Sequence, residues 1–158
     1  MISLLLLGGL SGCTTLDPQT TAATQYVNSV QPLMVENSLL SERLLLLASQ
    51  IYNEKVPEDG FSPVWNDEIV PLAEHLHIQA DSTEVPSEWQ DLHENLVVIW
   101  SDRASAYRSM GEAIILADRT RWDEARRLEG QVVKREETWF QSVGSQLGQY
   151  DLTLEQYP

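Results

Sequence analysis

Residues 89–117 read WQDLHENLVVIWSDRASAYRSMGEAIILA, and their pattern is the strongest indication of how the chain folds. Apolar side chains recur in it at steps of three and four residues, which places them on one face of an α-helix. Ser87 can cap this helix, with Gln90 three residues later as its capping-box partner. We therefore predict a helix over about Glu88–Ala117. Its stripe comprises Trp89, Leu92, Leu96, Ile99, Arg103, Ala106, Met110, Ala113 and Ala117.

A second helical pattern follows almost at once, over about Arg121–Tyr150. The connection between the two helices is only about Asp118–Arg119, and so short a connection makes neighbouring helices antiparallel. When the two helices are aligned antiparallel from this short connection, Arg103 lies opposite Glu136. Arg103 is the one polar residue of the first stripe, and Glu136 is the one acidic residue of the stripe on the second helix. We expect a partly buried ion pair there. Its expected role is to set the register, because buried ion pairs are weak evidence for added stability.

Two further helices are predicted upstream of this hairpin. The first covers about Ala22–Glu54, and Pro32 either kinks it or opens its main section. The second covers about Pro63–His77 and should bend at Pro71. Alternating strand patterns are scarce throughout. The sequence thus predicts an all-α fold, an antiparallel four-helix bundle with a long C-terminal helical hairpin.

The first thirteen residues are a segment of a different kind. Met1–Leu10 is almost wholly apolar, and Ser11, Gly12 and the single cysteine of the chain, Cys13, follow it. This arrangement resembles the lipobox of bacterial lipoprotein precursors. The resemblance implies that residues 1–12 are a signal peptide that is cut away and that the Cys13 thiol carries a covalent lipid.

The resemblance also implies a location. Residues 13–24 would form the acylated cysteine and a polar tether, and residues 25–158 the helical domain. We expect an extracytoplasmic protein anchored to the cell membrane or the outer membrane, since an apolar run this short cannot span a bilayer. No Lys or Arg precedes Cys13, although a signal peptide normally opens with positive charge. Either the true start lies upstream or the segment has been trimmed.

Charge narrows the set of partners. The formal net charge is −14, and all of it lies beyond residue 12. Nucleic acid is excluded as a partner because phosphate binding requires a basic surface. Anionic lipid headgroups repel a domain with this negative charge, so we expect only the acyl chains to touch the membrane. Excess acid favours solubility and can attract basic partners.

One short segment has the spacing of metal ligands. Glu74 and His77 are three residues apart, as in the Glu-x-x-His element of di-iron bundles. Such a site needs a second element, and His93 has Gln90 where a glutamate is required. A mononuclear site from His75 or His77 with His93 and a carboxylate is the remaining alternative. We expect no metal and no cofactor besides the lipid, and keep Glu74, His75, His77 and His93 as candidate ligands.

Small residues within the helical hairpin suggest close approach of helices. Tight packing is the first interpretation and a groove for a ligand or partner helix the second. The residues in question are Ala104, Ser105, Ala106, Gly111, Gly130 and Gly144.

The remaining feature is the run Leu44–Leu47, which makes the first helix apolar nearly all round. A surface helix of this kind contacts a partner if its leucines stay exposed. No nucleophile motif or phosphate-binding loop occurs in the predicted domain, and we assign no catalytic residues. We therefore expect a non-enzymatic interaction or structural module, with a protein partner or a second copy bound through Leu44–Leu47. The alternative is a bundle that binds a small ligand or a metal.

Overall fold

The computed structural model describes residues 17–52 and 58–155, and within these ranges the chain is helical and contains no strand. Four long helical columns pack together as an all-α bundle. In chain order the helices are α1 (Pro18–Tyr52), α2 (Glu58–Val64), α3 (Val70–Ser82), α4 (Gln90–Leu116) and α5 (Arg119–Leu147). A π-helical segment, Trp65–Ile69, joins α2 to α3 as one column, and short 3₁₀ turns precede α4 and follow α5.

Contacts between the columns give an up-down-up-down topology. Tyr26 stacks on Trp89 at the start of α4, and Asn37 contacts Arg103 further along, so α1 and α4 run in the same direction. Columns α2–α3 and α5 run the opposite way. We call the end of the bundle that holds the C-terminus of α1 and the α4–α5 turn the far end, and the end that holds Pro18 the near end.

The α4–α5 turn is a two-residue connection, Ala117–Asp118, one residue earlier than predicted. Ala117 takes a left-handed conformation (φ 50°) that ends α4. The Asp118 carboxylate then accepts a hydrogen bond from the Arg121 backbone N–H at 3.0 Å, which caps α5. So tight a turn sets the antiparallel register of the hairpin.

Helix α1 begins earlier than the sequence predicted. Residues 18–24, assigned to the tether, form its first two turns, and Ala22 and Ala23 are buried. Pro18 is tolerated because it opens the helix, where its missing N–H would have no partner in any case. The helix also continues through Pro32, which lies within it. The tether prediction therefore fails for residues 18–24, while residues 13–16 lie outside the described part of the chain.

The second column also starts before its predicted boundary, at Glu58 rather than Pro63. Its π-helical segment ends just before Pro71, and the Val70 N–H bonds to the Trp65 carbonyl, five residues back. Proline has no N–H to offer and its ring crowds the preceding turn. A wider turn at this point lets the column continue through Pro71 instead of breaking there.

Candidate contact surface at the far end of the bundle

A polar network lies in the middle of the core and joins three helices. Arg103 of α4 and Glu136 of α5 form an ion pair whose side chains are 8% and 14% exposed. Arg103 Nη1 also donates to Asn37 Oδ1 of α1 at 2.6 Å, and Asn37 Nδ2 donates to Glu136 Oε1 at 3.4 Å. Trp100 Nε1 donates to the same Oε1 at 2.8 Å. Every charged group of the network thus has a charged or hydrogen-bonding partner within it.

Tyr107 lies one turn of α4 beyond Arg103 and is buried. The pKa of its hydroxyl is raised to about 12, mainly by burial; Arg103 opposes this rise, and the carboxylates of Glu129 and Glu136 add to it. The phenol therefore stays protonated at neutral pH. Its backbone carbonyl accepts a hydrogen bond from Trp65 Nε1 at 2.8 Å, which fixes the π-helical segment against α4.

The candidate metal ligands Glu74, His75 and His77 lie in different environments. Glu74 pairs with Arg108 of α4 on the surface. His75 Nε2 donates at 3.0 Å to the Gln79 amide oxygen, when that amide is oriented so that its nitrogen faces Glu36 of α1. His77 is partly buried, and its Nδ1 has no hydrogen-bond partner among the described residues. The structure does not bring Glu74, His75 and His77 together with His93.

His93 lies in the near-end core, 3% exposed. Its Nε2 is 2.8 Å from the Ala80 carbonyl, so this nitrogen carries the proton and donates to that oxygen. Its ring packs edge-on against Tyr26. Over the ranges 17–52 and 58–155, no group of three or more His, Cys, Asp or Glu side chains is arranged to hold a metal ion.

A largely apolar groove lies at the far end, with a volume of about 380 Å³. Its walls are the last turns of α1 and the first turns of α5, and its floor is formed by Tyr107 and Met110 of α4. We call it the far-end groove. It is lined by Leu44, Leu45, Leu47, Ala48, Phe61, Trp65, Tyr107, Met110, Trp122, Arg126 and Glu129.

Members of the four-leucine run have different environments. Leu47 is buried and Leu44 partly buried, whereas Leu45 and Leu46 are 67% and 49% exposed. Leu45 lines the far-end groove. Ile115 and Leu116, in the last turn of α4, are also strongly exposed at this end of the bundle. The sequence analysis missed them; their signal was an apolar Ile-Ile-Leu run immediately before the α4–α5 turn.

Of the small residues in the hairpin, only one of the glycines permits close approach. A Cβ atom built on Gly111 would collide with Asn66 Oδ1 and lie 3.1 Å from Trp65 Cδ1. Gly130 and Gly144 have nothing within 4 Å of such an atom, so for them the expectation of close helix packing is wrong.

Within the helices that the structure describes, none is long and apolar enough to cross a bilayer. Compared with known proteins, the chain matches no family model, no curated protein and no solved structure. The fold and the far-end surface are therefore the basis for assigning a role. They define an all-α bundle with an apolar groove at one end.

Proposed function

We propose that this chain is a lipid-anchored protein of the cell envelope that acts by protein–protein contact at the far end of its helical bundle. The anchor is Cys13, at the end of the segment Leu10-Ser11-Gly12-Cys13. Pro18, five residues after Cys13, lies at the near end of the bundle, and the groove lies at the far end. In this arrangement the lipid holds the near end at the membrane and the far end meets a partner.

The observation that carries the proposal is the exposure of Leu45 beside the far-end groove. Helix α1 rises about 40 Å between Pro18 and Leu45, at 1.5 Å per residue. Exposing large apolar side chains to water is unfavourable, and burying them in a contact is favourable by about 25 cal/mol per Å². A partner surface accounts for their position at the end furthest from the anchor.

The polar groups of the body support a contact role over a chemical one. Arg103, Glu136 and Trp100 satisfy one another in the core. His75 and His93 bond to separate groups of the bundle. These assignments favour the interaction module over the ligand-binding alternative.

Site-specific crosslinking in the cells that make the protein tests this function. A photoreactive amino acid placed at Leu45 should form a discrete adduct with another protein on irradiation. The matched control is Val98, which is also exposed but does not line the groove. Adducts at Leu45 that are absent at Val98 support the contact role. Equal yields at both positions, or none at either, contradict it.

A further inference from the structure

We infer that the far-end groove takes an amphipathic helix whose apolar face is flanked by Lys or Arg. This inference rests on the proposed function and names the chemistry of the partner. It is carried by the shape of the groove, by one carboxylate in its wall and by the charge of the whole body.

The groove lies between α1, α4 and α5, and Phe61 of α2 and Trp65 of the π-helical segment also line it. Leu45 belongs to α1, Trp122 to α5 and Met110 to α4. Two helical turns nearer the middle of the bundle, the hydrogen bond from Asn37 to Glu136 joins α1 to α5. A helix presents a single apolar face to a groove of this kind.

Glu129 makes the groove favour a partner with positive charge. Its side chain is partly buried, lines the groove and forms no ion pair within the part of the chain that the structure describes. Tyr107, on the floor, lines the same groove. Arg126 lines the same groove but does not pair with Glu129. Burying a carboxylate under a partner costs desolvation free energy unless a cation pairs with it. A Lys or Arg beside the partner's apolar face is therefore favoured.

Two other occupants fit less well. A second copy carries the same net charge of −14, and two such bodies repel each other. In the processed chain of the proposed function, which begins at Cys13, the N-terminus is too far away, because the segment from Cys13 to Asp17 spans at most about 14 Å, against the roughly 40 Å rise of α1. A basic partner is attracted by the same charge that disfavours a second copy.

Peptide binding to the full-length protein in phosphatidylcholine nanodiscs tests the inference. The probe is a fluorescent 14-residue helix with leucines on one face and lysines beside them. A matched probe carries glutamates instead of the lysines, and empty nanodiscs give the background. We expect the lysine probe to bind at least about tenfold more tightly than the glutamate probe. Leu45→Gln should weaken binding of the lysine probe about tenfold, and Val98→Gln less than twofold. Glu129→Gln should reduce the difference in affinity between the lysine and glutamate probes.

Several results would overturn the inference. Equal weakening by Leu45→Gln and Val98→Gln would assign the binding to overall charge. An unchanged ratio between the probes in Glu129→Gln would remove the role of that carboxylate. A dimer in sedimentation that Leu45→Gln dissociates would assign the groove to a second copy. If Leu45 still forms adducts in cells while the lysine probe fails to bind, the inference fails and the proposed function stands; if neither occurs, both fail.

Discussion

Arg103 of α4 and Glu136 of α5 form an ion pair in the core of the bundle, bridged to α1 by Asn37. The pair joins the two helices of the C-terminal hairpin at one register, and Asn37 ties the first helix to that same level. Sliding either helix by one residue would bury both charges without a partner. The network therefore selects one alignment of three helices.

Neutralising Glu136 should be strongly destabilising. Glu136→Gln leaves the Arg103 guanidinium buried without a counter-charge, and we expect a loss of roughly 3 kcal/mol in the free energy of unfolding. Urea denaturation followed by circular dichroism measures it. The control is Asp102→Asn, which removes a solvent-exposed pair with Arg135 between the same helices and should cost about 0.5 kcal/mol or less. Equal costs for the two variants would show that the buried network has no special role.

Two glycine-to-alanine substitutions should change the stability of the fold in opposite directions. Gly111→Ala must displace the Asn66 side chain, whose Nδ2 bonds to the Ser62 carbonyl at 2.9 Å, so we expect a net loss of roughly 1 kcal/mol. Gly130→Ala meets open space within α5 and should gain up to about 1 kcal/mol from helix propensity alone. Thermal unfolding distinguishes them. A gain for Gly111→Ala would contradict the close approach of α4 and the π-helical segment.

Removing the Tyr26 hydroxyl should not harm the fold. That oxygen is buried and has no hydrogen-bond partner in the described ranges, while its ring stacks on Trp89 with centroids 4.6 Å apart. Tyr26→Phe keeps the stacking and removes an unsatisfied polar group, so stability should stay level or rise by about 1 kcal/mol. The midpoint of urea unfolding reports this. A clear fall in that midpoint would mean that the hydroxyl is bonded in solution.

Stability should fall at alkaline pH because of buried tyrosines. Burial raises the pKa of Tyr107 from 10.0 to about 12 and also raises that of Tyr26. Below pH 10 the tyrosine hydroxyls are protonated in both the folded and the unfolded chain, so they do not change the free energy of unfolding. Between about pH 10 and 12 the unfolded chain releases a proton that the folded protein keeps, so the free energy of unfolding decreases as pH rises. Urea midpoints at pH 8 to 11.5 should decline less steeply for Tyr107→Phe than for the original protein; parallel declines would be inconsistent with the shift at Tyr107.

The hairpin was the part of the fold best suited to prediction from sequence. The stripes of α4 and α5 follow the helical period over many turns, and a two-residue connection allows only one relative direction. Arg103 and Glu136 were identifiable because each is the polar exception on its stripe. Helix ends were less predictable: Pro18 is compatible both with a tether and with a first helical turn, and only the burial of Ala22 and Ala23 distinguishes them.

The far-end groove could not be derived from sequence. Leu44–Leu47 showed that some leucines must remain outside the core, but which ones depends on how far α1 and α5 separate, a property of the assembled bundle. The same applies to the glycines, since Gly111 faces the side chains of Asn66 and Trp65 and Gly130 faces open space, although both lie within regular helices. The π-helical segment likewise depends on whether the column continues through Pro71.

The proposed orientation of the molecule depends on a lipid at Cys13, because attachment there would turn the far end away from the membrane. Mass measurement of the N-terminal peptide, taken from membranes of the cells that make the protein, tests this most directly. The account predicts a peptide that begins at Cys13 and carries a thioether-linked diacylglyceryl group. An unmodified Cys13 still joined to Gly12 would contradict it.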